Sequence, residues 1–216
     1  MEPLVLYVDR PGVSPWAMHA LVALEEKQLP YELVVVDLPM TEAQRAEVER
    51  HGALGKIPLL RHGAAGIGES LAISEYLAET FPAPVHPRIF PADLVQRARA
   101  RQVMSWMRTG LFALREHRPT TVVFGTADAP RPLAPLDGAL RADVDVLVAV
   151  ATRMLGDRLT LADAWCIADL DLALALMRLV RGGDPLPAHL RAAAEATWAR
   201  PSVQAYLTRR AQIAAR

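Results

Sequence analysis

The hydrophobic period of this chain changes once, at a stretch from Phe81 to Pro91 that carries four prolines, and the two sides of that stretch fold under different rules. Before it, short runs rich in β-branched residues alternate with helical patterns. Leu4 to Val8 is an apolar run of strand length closed by Asp9-Arg10-Pro11-Gly12. Pro15 to Lys27 then places Met18, Leu21, Val22 and Leu24 at helical spacing. Tyr31 to Val36 reads as a second strand, and Thr41-x-x-Gln44 as a capping box opening a short helix to about Arg50. Leu59-Leu60 supplies a third strand, residues 62–66 a turn and Ile67 a very short fourth strand. Leu71 to Glu79 is a helix stopped by Pro82 and Pro84. The order βαβ followed by ββα predicts helices packed on a mixed sheet.

Beyond the prolines every periodic segment is helical. Ala92 to Glu116 reads as one long helix with a broad apolar face, 120–135 as irregular, and Leu136 to Leu155 as a second long helix. Thr160-x-x-Asp163 reads as a capping box that opens an apolar helix from Ala162 to Val180, ended by Gly182-Gly183-Asp184-Pro185. Residues 188–199 and Ser202 to Ala215 complete the series. The predicted division is an α/β domain over 1–81, a linker over 82–91 and an all-helical domain over 92–216.

Charge and cysteine content narrow the functional classes. Lys+Arg and Asp+Glu both number 24 in 216 residues, so no basic field exists to attract nucleic acid. The run from Ala164 to Val180 is interrupted by Asp169 and Asp171, which argues against a membrane span. The first residues lack a basic region followed by a long apolar run, so no signal peptide is expected. These features predict a soluble, cytoplasmic protein with neither nucleic-acid nor membrane partners. The single cysteine, Cys166, excludes an internal disulfide and a cysteine-based metal cluster; its apolar helix predicts a buried, inert thiol.

Three short motifs carry the chemistry. In Gly55-Lys56-Ile57-Pro58-Leu59-Leu60 the proline stands at the start of a strand, where its missing N–H is tolerated. That position predicts a tight turn, with either peptide isomer, exposing the Ile57 backbone to an incoming peptide. In Gly68-Glu69-Ser70 a carboxylate and a hydroxyl meet the N–H groups of a helix N-terminus, where the dipole favours an anion. Ser14-Pro15-Trp16-Ala17 begins the first helix at the same end of the sheet. Taken singly, each has a plainer reading. Ser14 is then a helix cap, Pro58 an ordinary strand-start proline, Glu69-Ser70 a capping pair and Lys56 a solvated side chain, while Thr160 and Asp163 are folding determinants.

Together, in this order, the motifs resemble a cytosolic glutathione transferase of the serine type, bacterial-like, over essentially the whole chain. The resemblance implies a thioredoxin-like N-terminal domain followed by an all-α C-terminal domain. Redox members of the thioredoxin-like superfamily carry C-x-x-C where this chain has Ser14 and Ala17. Disulfide exchange is therefore chemically unavailable at the site. The resemblance implies that the Ser14 hydroxyl donates to the glutathione thiolate and that the Ile57 backbone pairs with its cysteinyl unit, in a geometry held by Pro58. It further implies that Glu69 takes the γ-glutamyl ammonium, Ser70 its carboxylate, and Lys56 the glycyl carboxylate. Val13, Trp16, Trp106 and Met107, with Pro11, Leu111 and Phe112, would line a pocket for a small hydrophobic electrophile. Arg108, Arg115 and His117 are candidates for added polarity there.

Family members often have Asn-Pro where this chain has Gly52-Ala53, with His51 adjacent, so His51 receives no assigned role. The implied enzyme conjugates glutathione to electrophiles in detoxification, with hydroperoxide reduction as a related outcome, as a homodimer and without a metal. Two alternatives share the site. One is a non-catalytic glutathione-binding or regulatory protein. The other is a glutathione-dependent cis-trans isomerase of a small dicarboxylate, which the absence of a Ser-Cys pair in the Ser14 loop disfavours.

Overall fold

A computed structural model describes residues 2–52 and 54–214. Ala53, half of the Gly52-Ala53 pair, and Ala215, the expected end of the last helix, lie outside the described residues. Two compact units are present, Met1–Ile89 with Pro201–Arg216 and Phe90–Arg200.

The first unit runs β1 (Leu4–Asp9), α1 (Pro15–Glu26), β2 (Glu32–Val36), α2 (Glu42–His51), β3 (Leu59–His62), β4 (Ala65–Gly68) and α3 (Ser70–Thr80). The sheet has the order β2-β1-β3-β4; β1 and β2 are parallel, and the other two pairings are antiparallel. All six residues of β1 are buried, as befits a central strand covered on both faces. Alternation sends Val5 and Tyr7 to one face, where they pack with Val36, Val48 and Leu59. Leu4, Leu6 and Val8 take the other face, and the buried Met18, Leu21 and Val22 of α1 and Ile73 and Leu77 of α3 supply apolar mass. The turn between β3 and β4 is shorter than the sequence predicts, because β4 already begins at Ala65.

Helix α2 buries one residue, Val48, and is held mainly through its ends. The Thr41–Gln44 capping box closes its N-terminus, with Gln44 N–H donating to Thr41 Oγ1 at 3.2 Å and Thr41 N–H to Gln44 Oε1 at 3.0 Å. At its C-terminus the His51 carbonyl lies against Gly66, where an added Cβ would fall 1.5 Å from that oxygen. Gly66→Ala must therefore push β4 off α2. A loss of about 1–3 kcal/mol is expected in urea unfolding, whereas Ala64→Ser, in the exposed turn beside it, should unfold like the parent protein.

A last helix, α10 (Pro201–Ala214), groups with this first unit and packs on α1. The second unit holds α4 (Leu94–Thr109), α5 (Phe112–His117), α6 (Thr120–Phe124), α7 (Gly138–Leu155), α8 (Ile167–Gly182) and α9 (Ala188–Trp198). Helix α8 is buried on nearly every side and packs against α4, α6 and α9. Among the described residues, no helix is long and apolar enough to cross a membrane.

Three sequence expectations change in this unit. The single helix over 92–116 is two helices: Gly110 caps α4, and Leu111 takes a left-handed conformation at φ 55° before α5 begins. The apolar spacing continues through the break, so periodicity alone hides it, and Gly110 was the signal. Within the irregular 120–135 segment a five-residue helix, α6, forms. Finally, the apolar helix opens at Ile167, and its capping box is Cys166 with Asp169. Thr160 instead donates to the Ala162 carbonyl at 2.8 Å, and the Asp163 carboxylate accepts from Gln96 Nε2 at 2.9 Å. The Asp169 carboxylate takes the N–H groups of Leu161 and Cys166, each at 2.7 Å. It wins the cap because it satisfies two donors that the turn into α8 would otherwise bury.

The aspartates that argued against a membrane span are thus buried anchors. Asp171 accepts from Arg108 Nη1 at 2.5 Å, and Arg108 also donates to the Met104 carbonyl, which ties α4 to α8. Arg108 is accordingly a packing residue rather than a solvated one.

Candidate active site

The strand pairings determine where the three motifs emerge. Asp9, at the C-terminal end of β1, leads through residues 10–13 to Ser14. Leu59 begins β3 opposite Tyr7, so Ile57 and Pro58 lie at the same end of the sheet. Gly68 ends β4 opposite Leu59, so Glu69 and Ser70 leave from that end as well. Antiparallel β3 and β4 on a parallel βαβ start therefore bring Ser14, Ile57-Pro58 and Glu69-Ser70 to one edge.

Ser14 caps α1, and its Oγ accepts from the Ala17 N–H at 3.2 Å. Cap and catalyst need not compete. A hydroxyl has two acceptor lone pairs and one donor, and the cap uses only acceptor capacity. Its backbone is held by Asp9, a fully buried carboxylate whose Oδ2 accepts from Val13 N–H at 2.8 Å and Ser14 N–H at 3.1 Å. In the sequence Asp9 reads only as a strand terminator. An ionisable residue closing a buried strand just before the serine loop was the available signal. Val13 and Trp16, both half-buried, flank Ser14 in chain order.

The Ile57–Pro58 peptide bond is cis. Ile57 precedes the β3 ladder, and among the described residues its backbone N–H and C=O make no backbone hydrogen bond. An edge of strand-like backbone is therefore available to a peptide. Lys56 beside it is exposed. Glu69 has φ +65°, a left-handed backbone that is uncommon for a residue with a Cβ and is often held at ligand sites. It is exposed, makes no side-chain cap bond, and is followed by Ser70, 2% exposed, as the first residue of α3. Carboxylate, hydroxyl and helix N-terminus coincide here.

His51 belongs to a different cluster. Its Nε2 lies 3.1 Å from Glu47 Oε1, which also accepts from the Tyr7 hydroxyl at 3.2 Å. Burial opposes ionisation of Glu47, but Arg50, the Tyr7 hydroxyl and His51 together hold its carboxyl below the usual range. The group fastens α2 to β1. Trp106 and Met107 lie on α4, in the second unit, with Met107 buried and Trp106 half-buried. Cys166 is buried, and burial followed by the Asp169 charge pushes its thiol well up, so it is no nucleophile. Among the described residues, no three His, Cys, Asp or Glu side chains are grouped to hold a metal ion.

Comparison with known proteins identifies the family. Residues 13–80 match the glutathione S-transferase N-terminal domain and residues 93–212 the glutathione S-transferase C-terminal domain. A glutathione transferase homolog from Burkholderia gl BGR1, crystallised with bound glutathione, is 35% identical with a TM-score of 0.78. The match covers 98% of this chain and 99% of that one. Glutathione S-transferase theta-1 of Rattus norvegicus is 30% identical over 85% of this chain and 76% of its own. Maleylacetoacetate isomerase of the same organism is 29% identical over 76% and 74%. A thioredoxin-like domain joined to a helical domain, matched along both parts, places this chain in the glutathione S-transferase family.

Proposed function

We propose that this enzyme ionises glutathione through the Ser14 hydroxyl and directs the thiolate at a small hydrophobic electrophile, with hydroperoxide reduction as a side activity. The observation that carries the reading is the convergence of the Ser14 cap, the Ile57 backbone, which makes no backbone hydrogen bond among the described residues, and the Glu69-Ser70 helix start at one end of the sheet. Glutathione bound to the Burkholderia homolog supports the choice of thiol.

In this reading the Ile57 backbone pairs with the cysteinyl unit beside Pro58. Glu69 holds the γ-glutamyl ammonium, Ser70 its carboxylate and Lys56 the glycyl carboxylate. The thiol loses its proton to solvent as the Ser14 O–H and the positive end of α1 stabilise the sulfur. Sulfur then attacks the electrophile and displaces its leaving group, and no protein nucleophile forms a bond. Val13 and Trp16 supply apolar lining beside Ser14, and Trp106 and Met107 offer apolar side chains on α4. In chain order the division is 1–81, 82–91 and 92–216, with α10 of the last segment grouping with the first unit, and the protein works as a cytoplasmic homodimer.

Calorimetry with reduced glutathione tests the binding half. Ser70→Ala and Glu69→Ala are each expected to weaken affinity about tenfold, the loss of one charge-assisted contact; unchanged affinity in both would remove this site. Turnover of a chlorinated nitrobenzene or an organic hydroperoxide separates the enzyme from a protein that only binds glutathione. The similarity to maleylacetoacetate isomerase favours one second reading, glutathione-dependent cis-trans isomerisation of a small dicarboxylate. Isomerisation of a maleyl compound without turnover of either electrophile would select it.

A further inference from the structure

We propose that α10 tunes the thiolate site from outside it, with Tyr206 and Arg210 as positioning residues that clamp the Gly12 carbonyl and so aim Ser14. The inference rests on the reading of Ser14 given above.

The loop between β1 and α1 is short, and one peptide plane within it is pinned on both edges. The Gly12 carbonyl accepts from the Tyr206 hydroxyl at 2.9 Å and from Arg210 Nε at 2.9 Å. These two donors occupy both lone pairs of that oxygen. The N–H of the same peptide unit, on Val13, donates to Asp9 Oδ2, which also takes the Ser14 N–H. A planar peptide fixed at its oxygen and its N–H cannot rotate, so the chain enters Ser14 in one direction.

Two further observations fit. Gly12 has φ +60°, and a Cβ there would lie 2.6 Å from Arg210 Cγ, so the loop and α10 approach as closely as a glycine allows. Tyr206 is 3% exposed, and burial followed by the Asp9 charge pushes its phenol well up, which keeps it a donor. Charged groups at the loop are Asp9 from β1, Arg10 within it, which pairs with Asp37 just beyond β2, and Arg210 from α10.

The clamp is separable from the docking of the helix. Helix α10 is also held by Ser202 donating to Glu26, by Arg209 donating to Glu25 at 3.0 Å, and by Arg209 over the Tyr31 ring at 5.2 Å. Removing the two donors to Gly12 leaves those contacts in place. The expected consequence is a loop that samples more directions and a Ser14 hydroxyl that meets the sulfur less often. Binding through Ile57, Glu69 and Ser70 is untouched.

The test compares Tyr206→Phe, Arg210→Met, their combination, Ser14→Ala and Arg209→Met. Three quantities are read for each: the pH profile of kcat/KM for conjugation, the ultraviolet absorbance of bound glutathione thiolate against pH, and calorimetric glutathione affinity where the thiol is protonated. The double variant is expected to raise the apparent thiol pKa by about one unit, a tenfold smaller thiolate fraction on the acid limb. Its kcat should fall without a matching rise in KM, and affinity for protonated glutathione should stay at the parent value. Each single variant should shift part of the way and Arg209→Met not at all.

A parent-like acid limb in the double variant overturns the clamp, as does an equal shift in Arg209→Met, which would make helix docking the cause. If the double variant does not fold, parent-like limbs in both single variants overturn it equally. An unshifted limb in Ser14→Ala is a different failure: it removes the role of Ser14, and the clamp falls with it. A limb that shifts in Ser14→Ala but in none of the α10 variants removes the clamp alone.

Discussion

Replacing Ser14 by alanine is expected to lower kcat/KM for glutathione conjugation about a hundredfold near neutral pH, the usual effect of removing one donor aimed at a developing or stabilised anion. Each unit of thiol pKa represents about 1.4 kcal/mol of preference for the thiolate, and a hydrogen bond to a charged group supplies about 1.5–3 kcal/mol. The loss should therefore appear as an acid limb displaced to higher pH, with activity partly recovered where solvent alone ionises glutathione. Because Ser14 also caps α1, alanine is expected to cost about 1 kcal/mol of stability, whereas glycine costs only a few tenths. Ser14→Gly separates the roles: stability close to the parent with activity as low as in the alanine variant assigns the loss to the hydroxyl. Parent-like activity in both variants would take Ser14 out of the chemistry.

Asp169→Ala is expected to destabilise the protein by about 3–5 kcal/mol, a large share of the total stability of a typical domain. The substitution strands two N–H donors, on Leu161 and Cys166, that now meet one carboxylate at 2.7 Å each. Burial pushes that carboxyl up to about 6, against the pull of the same two donors, so it is ionised at neutral pH. Asp169→Asn keeps one acceptor oxygen but turns an amide group toward the second N–H, and it should recover only part of the loss. Asp163→Ala, at an exposed side chain, is expected to stay within about 0.5 kcal/mol of the parent protein. Urea unfolding of these variants checks the assignment, and equal costs at 163 and 169 would contradict it.

These two residues show what local patterns can and cannot decide. Ser14 was legible because a serine before proline at a helix start, a proline at a strand start and a polar pair at the next helix start occur in a fixed order. Each also belongs to its own local structure. The cap of α8 was misread because the same Ala-Asp pair occurs at 162–163 and again at 168–169, and both fit a helix start. Only the Leu161 and Cys166 N–H groups distinguish them, and the turn brings both to Asp169. The break at Gly110 was hidden for a similar reason: the apolar face runs on through it, and the left-handed Leu111 leaves no mark in the pattern.

By itself the amino-acid sequence determined the change from strand-and-helix alternation to helices, the strand and helix starts, and the residue types that can hold a thiol peptide. Those properties depend on neighbours a few residues apart, through period, capping and the missing N–H of proline. Tertiary structure alone decided that Tyr206 and Arg210 meet Gly12 from the far end of the chain. Hydrogen bonds between residues nearly two hundred positions apart leave no periodic trace, because they arise only when the chain has closed around them.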